Sequence, residues 1–323
     1  MDKKNIKIAV SVVTFSKNNS LVTQLGGYFP NYILNNVGRR YTEQELINSL
    51  KDADGAIIGL DKIDENILKH CPKLKVIAKY GIGLDKIDFD ACKKYGVEVF
   101  PQEGTNKRSV SELTLGFMLD LMRGGYNSSV ELKKGNWNKY ENNARELTGK
   151  IIGIIGVGNI GKDLVSLLNP FNCKILANDI REDKAQLEFY KENNIDKSSK
   201  ETIYSQSDIL TLHVPLTSLT KEIINFKSLS TMKPTSFLIN TCRGEVVNEI
   251  DLFYSLKNKE IAGVALDVYQ NEEKPDFYKT TFHEELFSLP NVIPTPHIGG
   301  TSKESSFALG MTAIQNLKNY FVK

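Results

Sequence analysis

The stretch IIGIIGVGNIGKDL, residues 151 to 164, limits what this chain can fold into more than any other. The apolar residues Ile151 to Ile155 run straight into Gly156-Val157-Gly158-Asn159-Ile160-Gly161 and then into a helix-like segment. A strand, a turn tight enough to need glycine and a helix in immediate succession open a βαβ unit of a parallel sheet. In such a turn Gly156 permits the bend, Gly158 lets backbone approach a pyrophosphate, and Gly161 lets the helix pack on the strand. The helix N-terminus then offers free N–H groups and a positive dipole end to phosphate. Glycine alone is weak evidence, because turns need it anyway. The run CKILANDI adds context, since Asp179 lies 18 residues past Gly161, near the ~20 expected of the acid that accepts an adenosine ribose hydroxyl. The plainer alternative is an aspartate that caps the next helix.

The rest of the chain repeats the alternation of β-rich runs and amphipathic helical stretches, the pattern of an α/β protein. IKIAVSVV, GAIIGL, LKVIAKYG and VEVFP, with TEQELINSLKDA, ENILKHCP and FDACKKYG between them, form a first system ahead of the glycine-rich one. With 323 residues, 41% of them hydrophobic and 25% charged, the chain can bury large cores and is expected to divide into two domains. SVSELTLGFMLDLM, residues 109 to 122, reads as one helix with Ser109 as N-cap and Glu112 completing a capping box. Its apolar faces predict burial between domains or subunits. A polar arm from Gly124 to Lys150, carrying Trp137, separates it from Ile151.

Net charge is +2, and no cluster of Lys and Arg with aromatics suggests a nucleic acid or a membrane surface. Cys71, Cys92, Cys173 and Cys242 are scattered without a CxxC pair, which argues against a zinc site or a disulfide framework and for a cytoplasmic location. No apolar run approaches the ~18 residues of a membrane span. No metal-ligand spacing appears.

If the glycine phrase holds a nicotinamide cofactor, a second group must steer a proton. Of the four histidines, His70 ends a helix, where capping or solvation is expected, and His283 lies in the polar FHEEL without neighbours that suggest chemistry. His213, in DILTLHVPLT, ends a strand, where cofactor contacts and structural histidines both occur. His297 follows Pro294 and Pro296 and precedes Gly299-Gly300, a stiff loop of close approach; it is either the acid–base group or a histidine bonded to a loop carbonyl. FLINTCRGEVV places Arg243 just after a buried-looking strand, where ligands of open sheets collect, and an arginine there grips a carboxylate in bidentate fashion. GVALDVYQNEEKP ends its strand at Asp267 and continues to Glu272 and Glu273. Taken singly, Arg243 and Glu272 could be surface salt-bridge residues; with His297 they make an acid–base set.

In their order, KYGIGLDKID, GTNKRSVSEL, GVGNIG, HVPLT, NTCRGEVV, ALDVYQNEE and PHIGGTSKE resemble the D-2-hydroxyacid dehydrogenases, nearly end to end, and most of all the phosphoglycerate dehydrogenase and glycerate or hydroxypyruvate reductase branch. The resemblance implies Arg243, Glu272 and His297 as the catalytic trio, Glu272 rather than Glu273 because it falls five residues after Asp267. It implies that the N–H groups of Ile82 and Gly83, with Arg243, hold the substrate carboxylate. It further implies NAD as cofactor, lined by Gly156, Gly158, Asn159, Ile160, Gly161, Asp179, Val214, Thr241, Asp267 and Gly299.

The implied architecture is two doubly wound parallel-sheet domains with a cleft between them. Residues 1–103 with 298–323 form a flavodoxin-like substrate domain, 104–297 a Rossmann NAD-binding domain, and the long helix with its arm builds a homodimer. The implied reaction moves a hydride between NAD and a D-2-hydroxy or 2-keto acid such as 3-phosphoglycerate, glycerate or hydroxypyruvate, without a metal. Phosphite dehydrogenase and a non-catalytic NAD-sensing corepressor are the rival readings. Relatives that take phosphoglycerate hold its phosphate with arginines of the substrate domain, where this chain offers only Lys62 and Lys79. The chain ends at Lys323 without the regulatory domain of many such relatives, so serine feedback is not expected.

Overall fold

A computed structural model describes residues 5–139, 144–272, 274 and 276–322. The chain divides into two compact units, Met1–Asn106 with Gly300–Lys323, and Lys107–Gly299. Both are parallel sheets flanked by helices.

In the first unit the strands β1 (Lys7–Val10), β2 (Asn31–Leu34), β3 (Gly55–Ile58), β4 (Val76–Lys79) and β5 (Glu98–Phe100) pair in the order β2-β1-β3-β4-β5. Every pairing is parallel, and the order is that of the flavodoxin-like doubly wound fold. The central strands β3 and β4 are buried on both faces, which is why they read as unbroken apolar runs rather than alternating ones. Their successive side chains feed two cores. Ala9, Ala56, Ile58 and Ile77 pack on one face, and Ile8, Val10, Ile57 and Val76 on the other. The chain returns to this second core through the helix Lys303–Phe321, capped by Ser302, whose Ala313, Ile314 and Leu317 are buried there.

The second unit holds β6 (Ile151–Ile155), β7 (Lys174–Asn178), β8 (Ile195–Lys197), β9 (Ile209–Leu212), β10 (Phe237–Asn240), β11 (Gly263–Leu266) and β12 (Val292–Pro294), in the order β12-β11-β10-β9-β6-β7-β8. The strand order reverses at β6, which has β7 on one side and β9 on the other. This is the Rossmann topology, and its ligand position is the crevice outside the carboxyl ends of the strands at that switch point.

The long helix runs Lys107–Arg123 and so begins two residues before the anticipated cap. Ser109 lies in its first turn and donates to the Gly299 carbonyl at 2.6 Å, so a tertiary partner has replaced the expected capping box. One face buries Val110, Thr114, Phe117, Met118 and Met122 in the second unit, while Leu119 stays exposed. The next helix, Gly125–Lys133, buries no residue, and Leu132 and Trp137 stand 54% and 76% exposed. Among the described residues no helix is long and apolar enough to cross a membrane.

Candidate active site

The glycine turn divides its work by position. Gly156 sits at φ 94°, and a Cβ there would stand 2.4 Å from the His213 carbonyl oxygen, so both conformation and packing demand glycine. A Cβ on Gly161 would meet the Gly156 carbonyl oxygen at 2.4 Å. Gly158 is different, because its φ is −78° and the only neighbour of an added Cβ is the tip of Arg181 at 3.9 Å. No described residue requires glycine there. It begins the helix Asn159–Leu168 without any side-chain cap, which leaves the first-turn amides open to an anion. Asn159 and Ile160 occupy that first turn, and the Ile160 carbonyl accepts from Ser111 at 3.2 Å.

Asp179 follows β7 and points back under this turn. One carboxylate oxygen accepts the Val157 N–H at 2.6 Å and the other the Arg181 N–H at 2.8 Å. The Arg181 guanidinium donates to the Val157 carbonyl at 2.7 Å and lies 3.3 Å from the carboxylate. Burial works against the Asp179 charge, but the Arg181 and Val157 donors hold its carboxyl below the ordinary aspartate value. An ionised, pre-aimed acid beside an uncapped helix start fits the ribose and pyrophosphate of a dinucleotide. His213, after β9, keeps its Nε2 3.0 Å from the Thr211 hydroxyl. Its Nδ1 is buried with no hydrogen-bond partner among the described residues, and burial pushes the imidazole down to about 3. The ring is therefore neutral. Val214 beside it packs on the core, and Thr241 touches Thr114 through their hydroxyls at 3.2 Å.

Arg243, Glu272 and His297 issue from the ends of three adjacent strands. After β10, the buried Asn240 clamps the turn, its amide donating to the Arg243 carbonyl at 2.8 Å while its oxygen accepts the Cys242 N–H. Arg243 itself donates to the Cys242 carbonyl at 2.6 Å. After β11 the chain turns so that Glu272 faces His297, with Glu272 Oε1 2.8 Å from His297 Nδ1. Glu273 lies outside the described residues. After β12, His297 takes a left-handed backbone at φ 53°, which a non-glycine residue adopts only when its surroundings impose it.

Asp267 imposes it. Its carboxylate, 1% exposed, accepts the N–H groups of Ile298 and Gly299 at 2.8 and 2.7 Å and the Thr295 hydroxyl at 2.6 Å. Burial still raises its pKa. Burial also opposes the charge on His297, but the hydrogen bond and charge of Glu272, with Asp267 behind, outweigh it and hold the imidazolium above the ordinary histidine value, while Arg243 pulls the other way. The Glu272 carboxyl is pushed up by burial yet held low overall by His297 and Arg243. The set is thus an imidazole whose charged form is favoured, oriented through Nδ1, with the Arg243 charge acting on it.

In the first unit Ile82 and Gly83 are half-buried in the loop after β4. Lys79 ends β4 with only 3% exposure, and its ammonium donates to the Gly59 carbonyl; Lys62 is exposed and pairs with Asp64 at 2.9 Å. His70 is exposed and bonded to the Asn66 carbonyl. His283 was given no chemical neighbours by its sequence context, but it is buried and lies 3.2 Å from Glu249, 34 residues away. No local signal could have announced that pair.

The family described as D-isomer specific 2-hydroxyacid dehydrogenase, NAD binding domain, matches residues 115–299. Hydroxypyruvate reductase of Thermotoga maritima is 33% identical over 276 residues, 85% of this chain and 87% of that protein. D-3-phosphoglycerate dehydrogenase of Methanocaldococcus jannaschii is 33% identical over 278 residues, 86% of this chain but only 51% of the longer relative. Among solved structures, D-lactate dehydrogenase from Aquifex aeolicus, complexed with NAD and lactic acid, superposes with a TM-score of 0.83 at 28% identity, covering 97% of this chain and 95% of that one.

Two binding predictions follow from the turn and its acid. Gly158→Ala is expected to keep the parental melting temperature while weakening NADH binding, read by fluorescence titration, by about tenfold, the equivalent of ~1.4 kcal/mol. An unchanged affinity would mean that no ligand approaches Gly158. The Asp179 carboxylate repels a 2′-phosphate, so kcat/KM is expected to favour NADH; equal or higher values with NADPH would show that Arg181 offsets it.

Proposed function

Because the chain belongs to the D-isomer specific 2-hydroxyacid dehydrogenase family, we propose that this NAD-binding oxidoreductase interconverts a D-2-hydroxy acid and its 2-keto acid through Arg243, Glu272 and His297. Bound NAD supplies or accepts the hydride. The observation that carries the reading is the 2.8 Å pairing of Glu272 with His297 Nδ1, which leaves Nε2 as the proton-carrying atom. In keto-acid reduction the imidazolium gives that proton to the substrate oxygen; in oxidation the neutral ring takes it back. Glu272 orients the ring and favours its charged form. Arg243 binds the substrate carboxylate and draws electron density from the carbonyl to be reduced.

The first unit serves as the substrate domain in this reading, with the Ile82 and Gly83 amides on the carboxylate and the second unit holding NAD. Within the substrate class, unphosphorylated acids such as hydroxypyruvate, glycerate and glyoxylate are favoured over 3-phosphoglycerate. Lys79 is buried against a carbonyl and Lys62 is paired with Asp64, so neither offers the fork that grips phosphate. A spectrophotometric panel of keto acids, hydroxy acids and phosphite tests this, since turnover of phosphite alone would favour the phosphite reading and NADH binding without any turnover a binding protein.

The exposed Leu119, Leu132 and Trp137 support a homodimer built on the long helix and the arm that follows it, a two-fold contact being the commonest way to cover such a face. Light scattering is expected to return about twice the 36.3 kDa chain mass; a stable species of single mass at micromolar concentration would refute it.

For the trio, His297→Asn is expected to lower kcat by about 10² or more with little change in NADH affinity. Glu272→Gln is expected to cost less and to move the pH profile. Its loss lowers the imidazole pKa, so reduction, which needs the protonated ring and is lost as pH rises through that pKa, fades at lower pH than in the parent. Parental kcat in His297→Asn would sink the assignment.

A further inference from the structure

Behind the turn that carries Glu272 lies a second carboxylate–imidazole pair. Glu249 and His283 are 3% and 6% exposed, and Glu249 Oε2 is 3.2 Å from His283 Nε2. The other ring nitrogen, Nδ1, is 2.8 Å from the Thr280 hydroxyl, which itself accepts the His283 backbone N–H at 3.3 Å. With the Thr280 hydroxyl donating to Nδ1, Nε2–H is left to donate to Glu249. The rings of Phe277, Phe282 and Phe287 stand with centroids 5.2 to 5.6 Å from that of His283 and keep water away.

The free oxygen of Glu249 is aimed at the catalytic turn. Glu249 Oε1 accepts the backbone N–H of Gln270 at 2.8 Å, two residues before Glu272. The Gln270 side chain donates to the Val247 carbonyl at 2.9 Å. Gly244 completes the junction, since a Cβ on it would stand 1.9 Å from the Tyr269 carbonyl carbon. Three contacts thus join the segment running from Arg243 to Glu249 with the turn running from Tyr269 to Glu272. Arg243 and Glu272 sit at the two ends of that junction.

We propose that Glu249, held by His283, is a positioning residue that fixes the Tyr269–Gln270 backbone and so sets Glu272 against His297 and Arg243. The proposal rests on Glu272–His297 as the acid–base pair. A buried carboxylate is a costly way to satisfy one amide N–H, and this one sits among like charges, since Glu245 and Glu272 face it together with His283 and Tyr269. Burial, with those acids, pushes the Glu249 carboxyl up to about 7, and burial lowers the pKa of the His283 ring. What this costly group contributes is a rigid acceptor reaching from the helix Glu249–Lys257 to the turn.

The test follows the His297 imidazole itself by NMR titration of the full-length chain, which has four histidines and is assigned with His297→Asn, alongside kinetics of hydroxypyruvate reduction or, failing turnover, of the best keto acid of the panel. Glu272→Gln is expected to lower the His297 pKa. Glu249→Ala is expected to lower it in the same direction by less, and to reduce kcat about tenfold, within the ~10² that a 1 Å misplacement costs, with NADH affinity unchanged. Glu249→Gln keeps an oxygen for Gln270 N–H and is expected to stay near the parent, which separates geometry from charge. In a Glu272→Gln background, Glu249→Ala is expected to add no further shift. If Glu249→Ala does not fold, Glu249→Asp, whose shorter arm cannot reach both partners, takes its place with the same expectation. A folded Glu249→Ala with parental His297 titration, beside a Glu272→Gln that shifts it, overturns the positioning role. A Glu272→Gln that shifts nothing overturns the acid–base reading and the proposal with it.

Discussion

The Asp267 carboxylate is the interaction on which the rest of the site depends. It ends the apolar strand β11 and is sealed from solvent, a position that costs a charged group several kcal/mol unless donors replace water. Three donors do so, and all three belong to the loop that carries His297. The exchange works in both directions: the loop satisfies the buried acid, and the acid holds His297 in a left-handed conformation that costs of order 1–3 kcal/mol when nothing enforces it. The imidazole is therefore aimed by backbone hydrogen bonds on one side and by Glu272 on the other, with little freedom left to its own side chain.

Parallel register explains why residues so far apart in sequence arrive together. Asn240, Leu266 and Pro294 are direct neighbours across β10, β11 and β12. Arg243 and His297 each lie three residues beyond their member of that row, and Asp267 one residue beyond the strand between them. The same edge of the same sheet carries Gly156 and Asp179 after β6 and β7. One topological rule, that parallel strands end on a common side, thus puts the glycine turn with Asp179 and the set of Arg243, Glu272 and His297 on one rim. Gly244 and Gly156 serve this arrangement by allowing backbones to touch where a side chain would separate them.

The strands buried on both faces were legible in the sequence because a fully covered strand shows as a short apolar run between turn residues. β2 and β8 went unread, β2 with no fully buried residue and β8 with only one. The residue types of the site were equally readable: an arginine, a glutamate and a histidine each following a strand. Their mutual orientation was not. Asp267 was expected to line the cofactor site, and nothing local foretold that it would bind the loop ahead of His297. Ser109 shows the opposite failure, a capping box that fits the pattern but yields to the Gly299 carbonyl 190 residues away. Glu249 and His283 carried no signal at all, because the pair exists only once two segments 34 residues apart are packed together.

The linked titrations of Glu272 and His297 join stability to chemistry. His297 has a raised pKa, so its contribution is fully present below the unfolded histidine value of ~6.5 and is lost as pH rises through the folded value. Glu272 has a lowered pKa, so its contribution is present above the unfolded glutamate value of ~4.3 and is lost as pH falls through the folded one. Between those limits the pair is ionised and intact, and that is the state the proposed keto-acid reduction needs. The proposed oxidation needs the ring neutral, which means working at higher pH with the same pair weakened. Burial, which taken alone opposes both charges, is tolerable because each charge is the other's counterion. The arrangement stabilises the proton-loaded site and gives up that stabilisation when the proton leaves.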